Sequence, residues 1–95
     1  MSVEKIVLVA RLKVKNDKVE EAKQAALAIV ADSRAEEGCV NYDVHQAIDD
    51  ETVFIWHETW KNKAAIDEHF ETEFFKNFSA TVGEFAVEPP QITLT

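Results

Sequence analysis

The chain has 95 residues and a mass of 10.8 kDa, enough for one domain over residues 1–95 and too little for two cores. Its 10 Lys plus Arg against 18 Asp plus Glu give a net charge of −8, which repels a phosphate backbone and argues against nucleic acid as a partner. With 46% hydrophobic residues, two Gly and two Pro the chain is not disordered. The lone Cys39, the lack of a signal pattern after Met1 and the lack of any apolar run near the roughly eighteen residues of a membrane span predict a cytoplasmic protein with no membrane partner.

A first strand is predicted over residues 3–14, where Ile6, Val7, Leu8, Val9 and Ala10 run without a polar break and both faces are expected to be covered. Arg11, Lys13 and Lys15 form a short basic stripe that reads as a solvated strand end. Asp17 with Glu20 makes an Asp-x-x-Glu variant of the capping box, and Val19, Ala22, Ala26, Ile29, Val30 and Ser33 follow at helical spacing. This predicts one long helix that stops before Gly38, whose tolerance of positive φ suits the residue past a helix end.

Residues 39–47 alternate, with Val40, Tyr42 and Val44 on one side and Asn41, Asp43 and His45 on the other. After a polar connector, residues 52–60 return as the second arm of a hairpin; Phe54, Trp56, Glu58 and Trp60 share one face, Val53, Ile55, His57 and Thr59 the other. Asn62 is placed to cap a short helix carrying Ala65, Ile66, His69 and Phe70 inward, and Thr72 to cap another carrying Phe75, Phe78, Val82 and Phe85. Ile92 and Leu94 alternate in a last strand, whose flanking Pro89 and Pro90 suit an edge.

The order β-α-β-β-α-β predicts an α+β, ferredoxin-like split βαβ with an antiparallel sheet and helices on one side. The first and third strands read as apolar on both faces, and helices cover only one. A homodimer with the two sheets packed face to face is therefore expected.

Three motifs in order, Ser33-Arg34-Ala35-Glu36-x-Gly38-Cys39-x-x-Tyr42, Phe54-x-x-x-Glu58-x-Trp60 and Ala64-Ala65-x-x-x-His69-Phe70-x-Thr72, resemble the antibiotic biosynthesis monooxygenase (ABM) domain family, in its quinol monooxygenase-like group. The resemblance implies a dimeric α+β barrel and, in several members, oxidation of quinol-like or phenolic aromatics by O2 without metal, haem or flavin. Other members isomerise a phosphorylated sugar, degrade haem or have no established activity. Many relatives continue Thr-Pro-His-Phe where this chain has Thr72-Glu73-Phe74-Phe75, so a second histidine is missing. The haem-degrading Asn, Trp and His align with Ala10, His69 and Ser79, which disfavours that branch.

Cofactor-free oxygenation needs a base, a dry apolar slot and stabilisation of the substrate anion. His69, turned inward with Ile66 and Phe70, is the expected base; the alternative is a hydrogen-bonded core histidine. Glu58, set between Trp56 and Trp60, could orient His69 or hold a substrate hydroxyl, or else reach solvent or Lys61. Trp60 joins these two as the third catalytic candidate. Tyr42, Phe54, Trp56 and Phe70 are candidates to line a slot for a flat ring, although core packing explains them as well. The three histidines lack the spacing of a metal site, so no metal and no cofactor is expected. Three functions stand: an oxygenase of a small hydroxylated aromatic, an isomerase of a small carbonyl or sugar-like metabolite that shuttles protons through His69 and Glu58, and a non-catalytic dimer that binds an aromatic.

Overall fold

A computed structural model describes residues 5–95 of the chain. Leu8, Ala10 and Leu12 alternate with Val7, Val9 and Arg11 along β1 (Ile6–Lys13), so the first three face the helices and the others face away. The predicted hairpin forms: β2 (Cys39–Gln46) pairs antiparallel with β3 (Val53–Trp60), which pairs antiparallel with β1. β4 (Gln91–Leu94) pairs antiparallel with the other side of β1, giving the order β2-β3-β1-β4. This is the ferredoxin-like order, with β2 and β4 at the edges.

The first helical region departs from the expectation of one long capped helix. Asn16–Lys18 forms a 3-10 turn, closed by Lys18 N–H to Lys15 O at 3.0 Å, and the helix begins beyond it as α1 (Val19–Ala28). That offset takes Asp17 out of the cap position, and Glu20 accepts from Gln24 Nε2 instead of closing a capping box. The run then breaks at Ile29 and resumes as α2 (Val30–Arg34). Two adjoining β-branched residues weaken a helix at this point, and Ile29 and Ser33 are both buried across the break.

The predicted side-chain caps further along do form. Asn62 Oδ1 accepts from Ala65 N at 2.9 Å and starts α3 (Lys63–Phe70); Thr72 Oγ1 accepts from Phe75 N at 3.2 Å and starts α4 (Glu73–Gly83). Thr72 Oγ1 also donates to His69 O at 2.8 Å, which ties the corner between the two helices. Gly38 does not adopt positive φ. Glycine is required there for closeness: a Cβ at this position would overlap the Ala65 Cβ of α3.

The core lies between the sheet and the helices, built from Leu8, Leu12, Tyr42, Phe54, Trp56 and Trp60 below and Ala22, Ala26, Ile66 and Val82 above. The opposite face is less apolar than the alternation suggested. Val7, Val9 and Ile55 sit at its centre, but β2 contributes Asn41, Asp43 and His45, and β3 contributes His57 and Thr59. Val40 leaves its expected row: a bulge between Cys39 and Asn41 turns it out, half-exposed.

Candidate active site

The strand pairing decides where space opens under the helices. On the covered face Ala10 lies opposite Trp56 on one side and Ile92 on the other, and it is the small residue between Leu8 and Leu12. Missing volume at Ala10 leaves a cavity of about 120 Å³, roofed by Phe70 of α3 and by Phe75, Phe78 and Val82 of α4. Its floor is Leu8, Ala10, Leu12, Tyr42, Trp56 and Glu58, and Pro90 and Ile92 stand on the β4 side. Trp56 is held edge-on against Phe78, ring centroids 5.9 Å apart.

Glu58 is the acidic group in this apolar wall. It is 5% exposed, flanked across the sheet by Leu8 and Tyr42, and its Oε1 accepts from Trp60 Nε1 at 2.9 Å. Burial pushes its carboxyl from the ordinary 4.5 up to about 7; the Trp60 hydrogen bond restrains the rise and the nearby Glu36 charge adds to it. A carboxyl of that affinity takes and returns protons at neutral pH. Tyr42 is raised far above the usual phenol range, first by burial and then by the charge of Glu58. Two buried donors adjoin its hydroxyl, Ser33 Oγ and Trp56 Nε1, close enough to favour its charged form. Neither reaches hydrogen-bond geometry with any partner.

His69 occupies a separate place. It is 1% exposed, and its Nδ1 donates to Glu36 Oε2 at 2.5 Å, a carboxylate being able only to accept. Rings enclose it: Trp60 at 4.6 Å, Phe75 at 5.1 Å, Phe70 at 5.7 Å, Tyr42 at 5.8 Å and Phe74 at 6.0 Å between centroids. Tyr42, Phe70 and Phe75 therefore stand with one side toward His69 and the other toward the cavity, which His69 itself does not line.

Of the seven residues singled out from the sequence, Glu58, Tyr42, Trp56 and Phe70 meet at the cavity. Trp60 is fully buried beside His69 and reaches the cavity through Glu58 alone. Phe54 lies elsewhere, in a groove with Lys23, Leu27 and Val44 on the α1 side, because two residues along a strand moves it a full step away from Trp56. The partner expected to orient His69 also changes: Glu36 does so, and Glu58 is bound to Trp60. Glu36 stood in the sequence as a motif position two residues before Gly38, without a role or a partner assigned to it. Ser33 read as an ordinary helix position, and Ala10 gave no sign of the space beside it.

Cys39 is half-buried, and burial pushes its thiol up to about 11, Glu58 and Glu36 adding to the rise, which leaves it a poor nucleophile. Among the described residues no three His, Cys, Asp or Glu side chains gather so as to hold a metal ion. No helix among them is long and apolar enough to cross a membrane.

Comparison with known proteins places this geometry in a family. The family model for antibiotic biosynthesis monooxygenases matches residues 5–81. YcnE of Bacillus subtilis, named as a candidate monooxygenase, is 40% identical over 90 residues, covering 95% of each chain. The uncharacterized protein sll1783 of Synechocystis is 33% identical over 89 residues; these are 94% of this chain but only 60% of that protein's length. Among solved structures, a candidate antibiotic biosynthesis monooxygenase from Nitrosomonas europaea superposes with a TM-score of 0.94 at 27% identity, covering 100% of this chain and 91% of that one. PA3566 from Pseudomonas aeruginosa gives 0.92 at 30% identity, covering 100% and 96%. Sequence match and fold agree over most of the described residues: the chain belongs to the antibiotic biosynthesis monooxygenase family.

Proposed function

We propose that the protein oxidises a small, single-ring phenol or quinol with O2 in the cavity beside Glu58, without metal, haem or flavin. One observation carries this reading: a carboxyl poised near neutral pH faces an apolar cavity of about 120 Å³. A cavity of about 150 Å³ lined by aliphatic and aromatic side chains takes up benzene, so this space suits one ring. Glu58 removes the phenolic proton, and the electron-rich anion passes electrons to O2. One oxygen atom enters the ring and the other leaves as water, so that a phenol and one O2 give a quinone and one water. The substrate supplies all the reducing electrons.

In this reading Glu58 is the catalytic base, Tyr42, Trp56 and Phe70 contact the ring, and Trp60 positions Glu58 through its indole N–H. His69 supports the wall with Glu36. The isomerase alternative loses support because it used His69 and Glu58 on one substrate, and only Glu58 faces the cavity. We further propose a homodimer through the open sheet face around Val7, Val9 and Ile55, and a cytoplasmic location, which an inert, half-buried Cys39 suits.

The test is oxygen uptake by chelator-treated protein with hydroquinone and substituted phenols. Turnover that falls about 10²–10⁴-fold in Glu58→Gln is the expected result. Undiminished turnover in that variant overturns the role of Glu58. Tight ring binding with no oxygen uptake by the wild type across the panel replaces the oxygenase with a non-catalytic aromatic binder.

A further inference from the structure

The roof of the cavity carries one small residue unlike its neighbours. Phe75, Phe78, Ser79 and Val82 follow the i, i+3, i+4, i+7 spacing of an inward helix face, and all four line the cavity. Ser79 is exposed where the other three are buried or half-buried, so the roof ends there. Opposite it, on the β4 side, Pro90 and Ile92 also line the cavity and are exposed. The remaining described residues of the wall are buried or half-buried, which puts the mouth between Ser79 and the stretch from Pro90 to Ile92.

The β4 side of this mouth is lightly tied. Gln91 pairs with Arg11, and Val87 N–H donates to Lys13 O at 3.0 Å, so Glu88, Pro89 and Pro90 stand opposite the single β1 residue Leu12. Two of the three lack an N–H, and between those ties no backbone hydrogen bond joins them to the described residues of β1. The charged groups here, Arg11 and Glu88, are paired with each other at 3.2 Å. Beyond the mouth, Ile92 and Leu94 are 53% and 42% exposed, and both share the covered side of the sheet because they lie opposite Ala10 and Leu8.

We propose that this mouth sets the substituent of the bound ring: the ring carries one apolar side chain, which leaves the cavity past Ser79 and lies over Ile92. A cavity of about 150 Å³ holds benzene, and one of about 120 Å³ has no room for a chain beside the ring. A chain directed at the floor meets Leu12, Tyr42 or Trp56, all buried. At the mouth an anionic substituent would have to displace Glu88 from Arg11, whereas an alkyl chain displaces no ion pair and covers exposed apolar surface. Ser79 is the specificity-determining residue, because a large side chain there would complete the apolar stripe of α4 and close the opening. This inference rests on the single-ring reading of the cavity for its ligand, and concerns binding alone.

The experiment titrates toluene and n-butylbenzene into the intact protein; neither carries a hydroxyl, so no turnover enters the measurement. The wild type is expected to bind n-butylbenzene about 3-fold or more tighter than toluene, since the longer chain lies on apolar surface. Ser79→Phe should weaken n-butylbenzene by about 10-fold or more and change toluene less than about threefold. In isotope-labelled wild type, the terminal methyl of bound n-butylbenzene should give nuclear Overhauser contacts to Ile92 and Ser79. A wild type that prefers toluene overturns the proposal, as does an n-butylbenzene preference that survives in Ser79→Phe, or a chain methyl in contact with Leu12 or Tyr42 in place of Ile92. If Ser79→Phe fails to fold, the contacts in the wild type decide by themselves. Failure of both rings to bind overturns this inference together with the single-ring reading. Absence of oxygen uptake with phenols, while both rings bind as expected, bears on the oxidation reading alone.

Discussion

Two carboxylates, Glu58 buried and Glu36 partly exposed, each pair with a buried ring of the core, and their surroundings give them different work. Glu36 meets His69 at 2.5 Å in a shell of five aromatic rings that leaves the imidazole 1% exposed. Glu58 meets Trp60 at 2.9 Å but has its other side on a cavity, and burial raises its carboxyl to about 7. A titratable group that is paired and enclosed stabilises the fold; one that is desolvated beside empty space is available to a ligand. The lesson is that a histidine on an inward helix face is weaker evidence of chemistry than an acid facing a void.

The largest expected effect tests that division directly. Glu58→Gln should lower turnover of a phenol by about 10²–10⁴-fold, whereas Glu36→Gln should lower it less than about 10-fold. Oxygen uptake under saturating substrate reads both, and equal losses would erase the distinction between the two sites. Filling the cavity gives the second test. Ala10→Phe should weaken phenol binding by about 10²-fold or more, with the Glu36–His69 side untouched, because the added ring occupies the space that Ala10 leaves opposite Trp56.

Stability should follow the other site. His69→Ala removes a fully packed ring and leaves Glu36 without its donor, a loss on the order of 3 kcal/mol in a denaturant titration. Glu58 acts in the opposite sense through pH. Its folded-state carboxyl lies above the ordinary 4.5, so its contribution to stability is full below pH 4.5 and is lost as pH rises through about 7. Wild type should therefore lose stability relative to Glu58→Gln between those limits, by at most about 3 kcal/mol. Over the same window turnover should rise, since the base must be ionised. A stability difference independent of pH would show that Glu58 is not the titrating group.

The elements that depend on neighbouring residues were legible in the sequence. The hairpin follows from two alternating runs around a polar connector, and the caps at Asn62 and Thr72 need only the residue three positions on. Long-range pairing was not legible. Glu36 reaches His69 across 33 positions, and the motif that sets Glu36 apart from the adjacent Glu37 carries no sign of which residue it pairs with. The cavity arises because registers on both sides of β1 set Ala10 against Trp56 and Ile92, and register is a property of three strands together. Glu58, by contrast, could be suspected from its two flanking tryptophans, because an acid among aromatics demands a reason.

The smallest predicted effect concerns how α3 is seated. Gly38 lies two residues after Glu36, and Ala65, which its missing Cβ admits, lies one helical turn before His69. The close approach of these two backbones therefore fixes the distance between the acid and the imidazole. Gly38→Ala meets no conformational objection, since its φ is not positive, and its cost is steric alone. A loss of about 1–3 kcal/mol is expected, with phenol binding at the cavity changed less than about twofold. Ala65→Gly in the same chain should recover part of that loss by removing the opposing Cβ, although glycine inside a helix itself costs about 1 kcal/mol. A double variant no more stable than Gly38→Ala alone, after that helix cost is subtracted, would mean that the contact does not seat α3. The enclosure of His69 would then have to come from the ring shell and the tie from Thr72 to His69 O.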